Sequence, residues 1–210
     1  MKSPSTLRLI LASLACTQCI SNAAVLTDES QLSSGNTLID FEMFSPGTVS
    51  NPFVIGNATF SSSQFLSIED ATPYSPPPRV VHHVLRANSG TGIFDHPYVD
   101  IRIDFASPVS QVGLGWWDPN IAGNELLVYN AAGVLLESAP IPTGPPGGGF
   151  ATFRGISRPA NEIAYAIMHI SGGNDIYGID NVSYGQVPEP SCAMLMLASG
   201  LVCLRRNRRI

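Results

Sequence analysis

Apolar and polar residues alternate along several short segments of this chain, and a period of two is the pattern of a β-strand with one buried face. The clearest segment spans residues 99–105, where four apolar residues alternate with two aspartates and an arginine. Ser107 and Pro108 follow it, and we expect them to end the strand because proline donates no ladder hydrogen bond. Residues 111–117 predict the next strand.

Similar segments recur about every ten residues, separated by Gly, Pro, Ser and Asn. No segment keeps a helical period for long, which favours an all-β body. About ten short strands without intervening helices are typical of a two-sheet antiparallel sandwich. The other predicted strands span residues 38–41, 54–61, 65–68, 80–85, 125–130, 134–138, 150–156, 163–170 and 176–184.

Two of these segments, 125–130 and 134–138, predict a β-hairpin. The connection Ala131-Ala132-Gly133 is short, and Gly133 stands where the turn needs a left-handed residue. Residues 141–149 are rich in proline and glycine and predict a loop.

The first 24 residues carry the pattern of a secretory signal peptide. Lys2 and Arg8 precede an apolar stretch, and Ser21-Asn22-Ala23 then places small residues where a signal peptidase reads them. We expect residues 1–24 to form a signal helix that signal peptidase removes, with cleavage after Ala23 or Ala24.

The last residues, 187–210, combine three features. A Pro-Glu-Pro motif precedes an uncharged run, 192–204, and arginines close the chain. As a helix the run would reach about 20 Å, which is short for a bilayer core of about 30 Å, and arginines beside a span stay cytoplasmic. The tail is therefore a simple C-terminal anchor or a transient stop that is cut off. Its marker residues are Pro188, Glu189, Pro190, Arg205, Arg206, Arg208 and Arg209.

This order of motif, short apolar helix and arginine cluster resembles the PEP-CTERM sorting signal of Gram-negative bacteria. The resemblance covers residues 187–210 only. It implies recognition by an exosortase-type membrane transpeptidase, transient insertion of the tail into the inner membrane, and export linked to extracellular polysaccharide. It implies nothing about the chemistry of residues 25–186, the predicted sandwich domain.

Cysteines and charged residues are unevenly distributed among the signal peptide, the body (residues 25–186) and the tail. Cys16, Cys19, Cys192 and Cys203 all lie in the signal peptide or the tail, so the body has no disulfide, cysteine zinc site or thiol nucleophile. The body has five arginines, no lysine and fifteen acids, a net charge of −10. Such a surface repels nucleic acid and anionic polymers. It suits divalent cations or neutral sugars, although plain solubility is the simpler explanation.

The body also resembles jelly-roll domains of the galactose-binding and carbohydrate-binding-module type, through segments 38–42, 105–114, 128–133 and 179–185. The resemblance implies a jelly-roll fold and a structural calcium ion shared by Glu42 and Asp180. Calcium takes six to eight oxygen ligands, so these two carboxylates would supply only part of the site. The alternative is that Asp180 lies at a strand edge and hydrogen-bonds a nearby loop.

The adjacent Trp116 and Trp117 must face opposite ways on a strand. We expect one to enter the core and the other to lie on the surface, where an indole can stack on a sugar ring, with Tyr177 beside it. The alternative is that both indoles are packed inside the protein.

Catalysis finds no support in the sequence. There is no G-x-S-x-G motif, the histidines lack zinc spacing, and nothing singles out a pair among the acids. We therefore predict a non-catalytic protein of the cell envelope, outer surface or extracellular matrix that binds polysaccharide. The alternatives are a secreted glycan-active hydrolase with an unrecognised carboxylate pair and a purely structural surface protein.

Overall fold

The computed structural model of the chain describes residues 23–72, 82–90, 97–145, 150–172 and 177–186. Within these ranges the protein is a sandwich of two antiparallel β-sheets, with one short 3-10 helix, Glu29–Gln31, and no α-helix. The predicted all-β class and two-sheet arrangement are thus confirmed. Residues 1–22 of the predicted signal helix and the whole predicted tail lie outside the described residues.

Fourteen strands build the two sheets in the described ranges. They are β1 (Ala24–Leu26), β2 (Thr37–Ile39), β3 (Gly47–Val49), β4 (Phe53–Ile55), β5 (Ala58–Ser62), β6 (Phe65–Asp70), β7 (His83–Asn88), β8 (Ile101–Val109), β9 (Gln111–Trp117), β10 (Glu125–Tyr129), β11 (Leu135–Pro140), β12 (Ala151–Ser157), β13 (Ile163–His169) and β14 (Gly178–Gly185).

The eight-stranded sheet has the order β1-β12-β9-β14-β7-β6-β3, with β2 pairing beside β14, and the six-stranded sheet has the order β11-β10-β13-β8-β5-β4. One cluster of buried apolar side chains takes residues from both sheets, among them Ile101 and Ile103 of β8 and Val112 and Leu114 of β9. The period of two predicted Ile101 and Ile103 as inner residues. No helix in the described ranges is long and apolar enough to cross a membrane.

The predicted hairpin is confirmed: β10 pairs with β11, and Gly133 has a φ of +77°. The predicted end of the preceding strand at Ser107 and Pro108 is wrong, because β8 continues to Val109. The neighbouring β5 pairs with β8 only as far as Phe105. Beyond that residue, proline removes no ladder hydrogen bond on this side.

The single strand predicted over residues 54–61 is in fact two strands, β4 and β5, which pair with each other. Ile55 lies opposite Ala58, and Gly56 between them has a φ of +57°. A two-residue hairpin requires this left-handed conformation, which glycine adopts readily. The strands β1 and β3 were not predicted, because three residues are too few to show a period of two.

Candidate functional site

The predicted sugar platform, one surface tryptophan of the pair with Tyr177 beside it, does not form, because both tryptophans and Tyr177 are buried. Trp116 and Tyr177 are fully buried, and Trp117 is 2% exposed. Trp116 belongs to the core between the sheets, and its ring centroid lies 6.0 Å from that of Tyr177. The Tyr177 hydroxyl donates a hydrogen bond to the Val99 carbonyl at 2.6 Å. These residues therefore stabilise the interior.

Trp116 and Trp117 do face opposite ways, as their adjacency on a strand predicts. Trp117 belongs to a separate apolar cluster on the outer side of the eight-stranded sheet, with Ala71, Val84 and Ala151. An outward-pointing residue is thus buried here, among apolar side chains that belong to or adjoin neighbouring strands of the same sheet.

Close packing over this sheet depends on glycines. A Cβ built on Gly178 would lie 2.7 Å from Val84 Cγ2, and one on Gly113 would lie 2.6 Å from the ring of Phe153. Real Cβ atoms do not approach so closely, so larger residues at these positions would displace their neighbours. The space beside these two glycines is therefore filled by neighbouring side chains.

Glu42 and Asp180, the pair implied for calcium, each accept backbone hydrogen bonds. Glu42 Oε1 accepts from the N–H groups of His82 at 2.8 Å and His83 at 3.0 Å. Asp180 is fully buried, and its Oδ1 accepts from the Asn181 N–H at 2.7 Å. Among the residues that the structure describes, no three His, Cys, Asp or Glu residues are grouped to hold a metal. Calcium at this pair stays a prediction, since backbone carbonyls supply several of its ligands.

The outer face of the six-stranded sheet carries a different set of side chains. Tyr165 of β13 lies opposite Asp104 of β8 on one side and opposite Tyr129 of β10 on the other. Directly paired residues share a face of a sheet. Arg102 lies two residues from Asp104 and therefore also shares this face. We call these four residues, Arg102, Asp104, Tyr129 and Tyr165, the tyrosine face.

The side chains of the tyrosine face are stacked. The rings of Tyr129 and Tyr165 are nearly parallel, at 8°, with centroids 4.8 Å apart. The Arg102 guanidinium carbon lies 3.6 Å from the Tyr165 centroid, a cation–π contact. The guanidinium also donates two hydrogen bonds to Asp104, from Nε at 2.8 Å and from Nη2 at 2.6 Å. Each member of the stack is therefore held in place by another.

The tyrosine face is open to solvent. The side chains of Arg102 and Asp104 are 43% and 41% exposed. Hydrogen bonding to Asp104 raises the pKa of the Arg102 guanidinium, and partial burial opposes the rise. Burial raises the pKa of the Tyr129 phenol, with smaller contributions from Tyr165, Asp100 and Glu125. The stack thus keeps a charged Arg102 and a neutral Tyr129 phenol at physiological pH.

Polar and apolar neighbours extend this surface. Thr59 lies opposite Asp104, and Ser61 lies opposite Arg102. On the other side, Ile167 lies opposite Arg102 and Leu127 lies opposite Ile167. Hydroxyls thus border the stack on one side and aliphatic side chains on the other. Such a surface offers both hydrogen-bonding groups and apolar contact area to a ligand.

The sequence contained a signal for this site that the prediction did not use. Leu126 and Val128 are inner residues of β10, so the same alternation places Tyr129 outward. The sequence instead favoured the tryptophan pair, because the period of two indicates the direction of a side chain and not its burial.

Comparisons with known proteins are distant. No protein-family model matches the chain, and no curated protein matches its sequence. Among solved structures, the chain is similar to the K2 cleaved adhesin domain of Lys-gingipain, with 11% identity and a TM-score of 0.47, covering 74% of this chain and 100% of that one.

Two further solved structures are similar to the chain. The K1 cleaved adhesin domain of Lys-gingipain from Porphyromonas gingivalis W83 has 14% identity and a TM-score of 0.41, covering 80% of this chain and 99% of that one. The enzymatically active domain of tailspike protein 4 from bacteriophage CBA120 has 17% identity and a TM-score of 0.22, covering 63% of this chain and 21% of that one. Because these TM-scores are below 0.5, the function must be argued from the residues of this chain.

Proposed function

We propose that this protein is an exported, non-catalytic component of the cell envelope or extracellular matrix, and that it binds polysaccharide through the tyrosine face. The observation that carries the proposal is the open stack of Arg102, Tyr165 and Tyr129 on an exposed sheet. Sugar rings present apolar C–H faces and hydroxyl edges. A surface of tyrosines, a paired charge and aliphatic neighbours complements both.

The shape of the surface favours a polymer over a small molecule. The tyrosine face lies on the open side of a sheet, with strands paired on both sides of it. Six strands spaced about 4.8 Å apart span about 24 Å. An extended chain could contact several strands at once and add weak contacts into a useful affinity.

Export supports this role. The resemblance of residues 187–210 to a PEP-CTERM signal implies delivery by an exosortase to a surface rich in polysaccharide. We further propose that signal peptidase cleaves after Ala23, because β1 begins at Ala24 and pairs with Ser157. Cleavage there would leave the whole strand in the mature protein.

We also propose that the two-sheet sandwich is a jelly roll.

A glycan panel tests the binding role. Mature protein is run through gels containing soluble β-glucan, galactomannan or dextran, and its retardation is measured. We expect retardation by at least one neutral polymer. Tyr165→Ala should weaken binding about fivefold or more, because an aromatic contact contributes about 1 kcal/mol beyond its buried area.

Phe65→Ala is the matched control. Phe65 is an aromatic residue of β6 in the other sheet and is 53% exposed. Its removal should leave retardation unchanged. Failure to bind any polymer would refute the proposal, and turnover of a glycan that one Asp or Glu substitution abolishes would favour the hydrolase alternative.

The mass of the mature protein recovered from cells tests the export route. We expect a chain that begins at Ala24 and lacks the arginine cluster. A mass that includes residues 205–210 would instead indicate a retained C-terminal anchor.

A further inference from the structure

The charges around the tyrosine face are unequal. In the six strands of this sheet, as the structure describes them, Arg102 is the one arginine or lysine. Acids are more numerous: Asp104, Glu125 and Glu137 lie in the strands, and Asp100 directly precedes β8. Both Asp100 and Glu125 are close enough to Tyr129 to affect its pKa. A polyanion approaching this face therefore meets net negative charge.

An anionic sugar would need to form an ion pair with Arg102, but Asp104 already forms one. Two of the guanidinium nitrogens, Nε and Nη2, donate to the two oxygens of Asp104. One side of the guanidinium lies against the ring of Tyr165. A carboxylate or sulfate from outside would have to displace Asp104 from this bidentate arrangement. The internal carboxylate has the advantage, because it is attached to the same strand.

A neutral sugar does not need to displace Asp104 from Arg102. Its hydroxyls can donate to the remaining lone pairs of Asp104 and accept from the remaining N–H groups of Arg102, while the ion pair stays intact. Both side chains are less than half exposed, so they are positioned before any ligand arrives. The pair then acts as a neutral, preorganised group for hydrogen bonding.

We propose that Asp104 sets the charge selectivity of the tyrosine face: by occupying Arg102, it makes the face accept uncharged polysaccharide and reject polymers that carry carboxylates or sulfates. This inference rests on the proposed function of the same face. It assigns Asp104 a role in specificity that differs from the contact role of the tyrosines.

The test is a charge-selectivity switch in Asp104→Asn. This variant removes the competing charge beside the guanidinium, and binding of polygalacturonate in low salt should rise about fivefold or more, since Arg102 can then make a charge-assisted hydrogen bond to a carboxylate of the polymer. The rise should disappear in about 0.5 M salt. Glu125→Gln is the matched control, because it removes the same charge from the same face without touching Arg102. It should show no rise.

A double variant, Arg102→Gln with Asp104→Asn, should lose the gain. An equal gain in Glu125→Gln, or no gain in a folded Asp104→Asn, would overturn the inference. Asp104→Ser serves as a second release variant should the first not fold. Binding of neutral polymer by the unmodified protein is measured in parallel. If it is present while polygalacturonate binding never rises, only the selectivity role fails; if it is absent, the proposed function fails and this inference with it.

Discussion

The centre of the outer face of the eight-stranded sheet is covered, whereas the outer face of the six-stranded sheet is open. Trp117 points outward from the first sheet, yet it is 2% exposed and packs with neighbours such as Val84. Tyr129 and Tyr165 point outward from the second sheet and are only partly buried. The difference shows that an outward position on a strand gives the direction of a side chain and not its exposure.

Two arginines show the same contrast. Arg86 of the covered sheet lies 5.0 Å from the ring of Tyr98, is fully buried, and has Glu69 at 3.9 Å. Arg102 of the open sheet lies 3.6 Å from the ring of Tyr165 and is 43% exposed. Similar cation–π pairs therefore have different roles in the two sheets. The buried pair belongs to the stability of the protein, and the exposed pair is available to a ligand.

The largest expected effect comes from Trp117→Ala. If the covered face is a second core, the substitution should lower the free energy of unfolding by about 3–5 kcal/mol, the range for deleting a buried aromatic side chain. Chemical denaturation measures the change. Phe65→Ala, at an exposed position of the same sheet, should cost less than about 1 kcal/mol. Equal costs for the two variants would show that Trp117 is not in a second core.

Calcium removal comes next in size. An ion shared by Glu42 and Asp180 at a concentration 100-fold above its dissociation constant would add about 2.7 kcal/mol to the stability of the protein. Melting should therefore shift to lower temperature when a chelator is added, and Asp180→Ala should remove that shift. A chelator shift that persists in the variant, or none in the unmodified protein, rules out calcium at this pair.

A smaller effect is expected from Gly178→Ala. The new Cβ would lie 2.7 Å from Val84 Cγ2 and 3.2 Å from Arg86 Cγ, and overpacking of this kind costs about 1–3 kcal/mol. The matched control is Gly35→Ala, where nothing lies within 4 Å of the new atom. Its denaturation midpoint should stay close to that of the unmodified protein. A neutral Gly178→Ala would mean that the side chains of β7 beside this glycine are loosely packed.

The smallest stability effect is expected from Arg102→Ala. An ion pair as exposed as this one contributes about 0.2–1 kcal/mol, so denaturation should barely change. Polysaccharide binding should nevertheless fall, because the stack loses one of its members. A loss of stability as large as that of Trp117→Ala would contradict the view that this face is built for contact with a ligand.

The sequence predicted what depends on local pattern. Alternation placed Ile101 and Ile103 inside, and the short connection placed Gly133 in a left-handed turn. It did not predict the continuation of β8 past Pro108, because that depends on where β5 stops pairing with it. The local alternation of apolar and polar residues thus indicated most strands. Pairing with other strands determined where several of them end.

The candidate site depended on relations that a single strand does not contain. Trp117 is buried by Ala71, Val84 and Ala151, which are distant in the chain. The stack of Arg102, Tyr165 and Tyr129 requires the register of three strands. The sequence therefore predicted an aromatic platform at residues that are buried, whereas the open aromatic stack lies on the other sheet.

The central claim is that polysaccharide binds at the tyrosine face and not at the tryptophans. Nitrogen-15 NMR of the mature protein, titrated with an oligosaccharide from the neutral polymer that it binds, tests this directly. The account predicts that the Arg102 Nε–H signal shifts with added ligand while the indole N–H signals of Trp116 and Trp117 stay in place. Movement of an indole signal with Arg102 unchanged would contradict it and locate binding on the eight-stranded sheet.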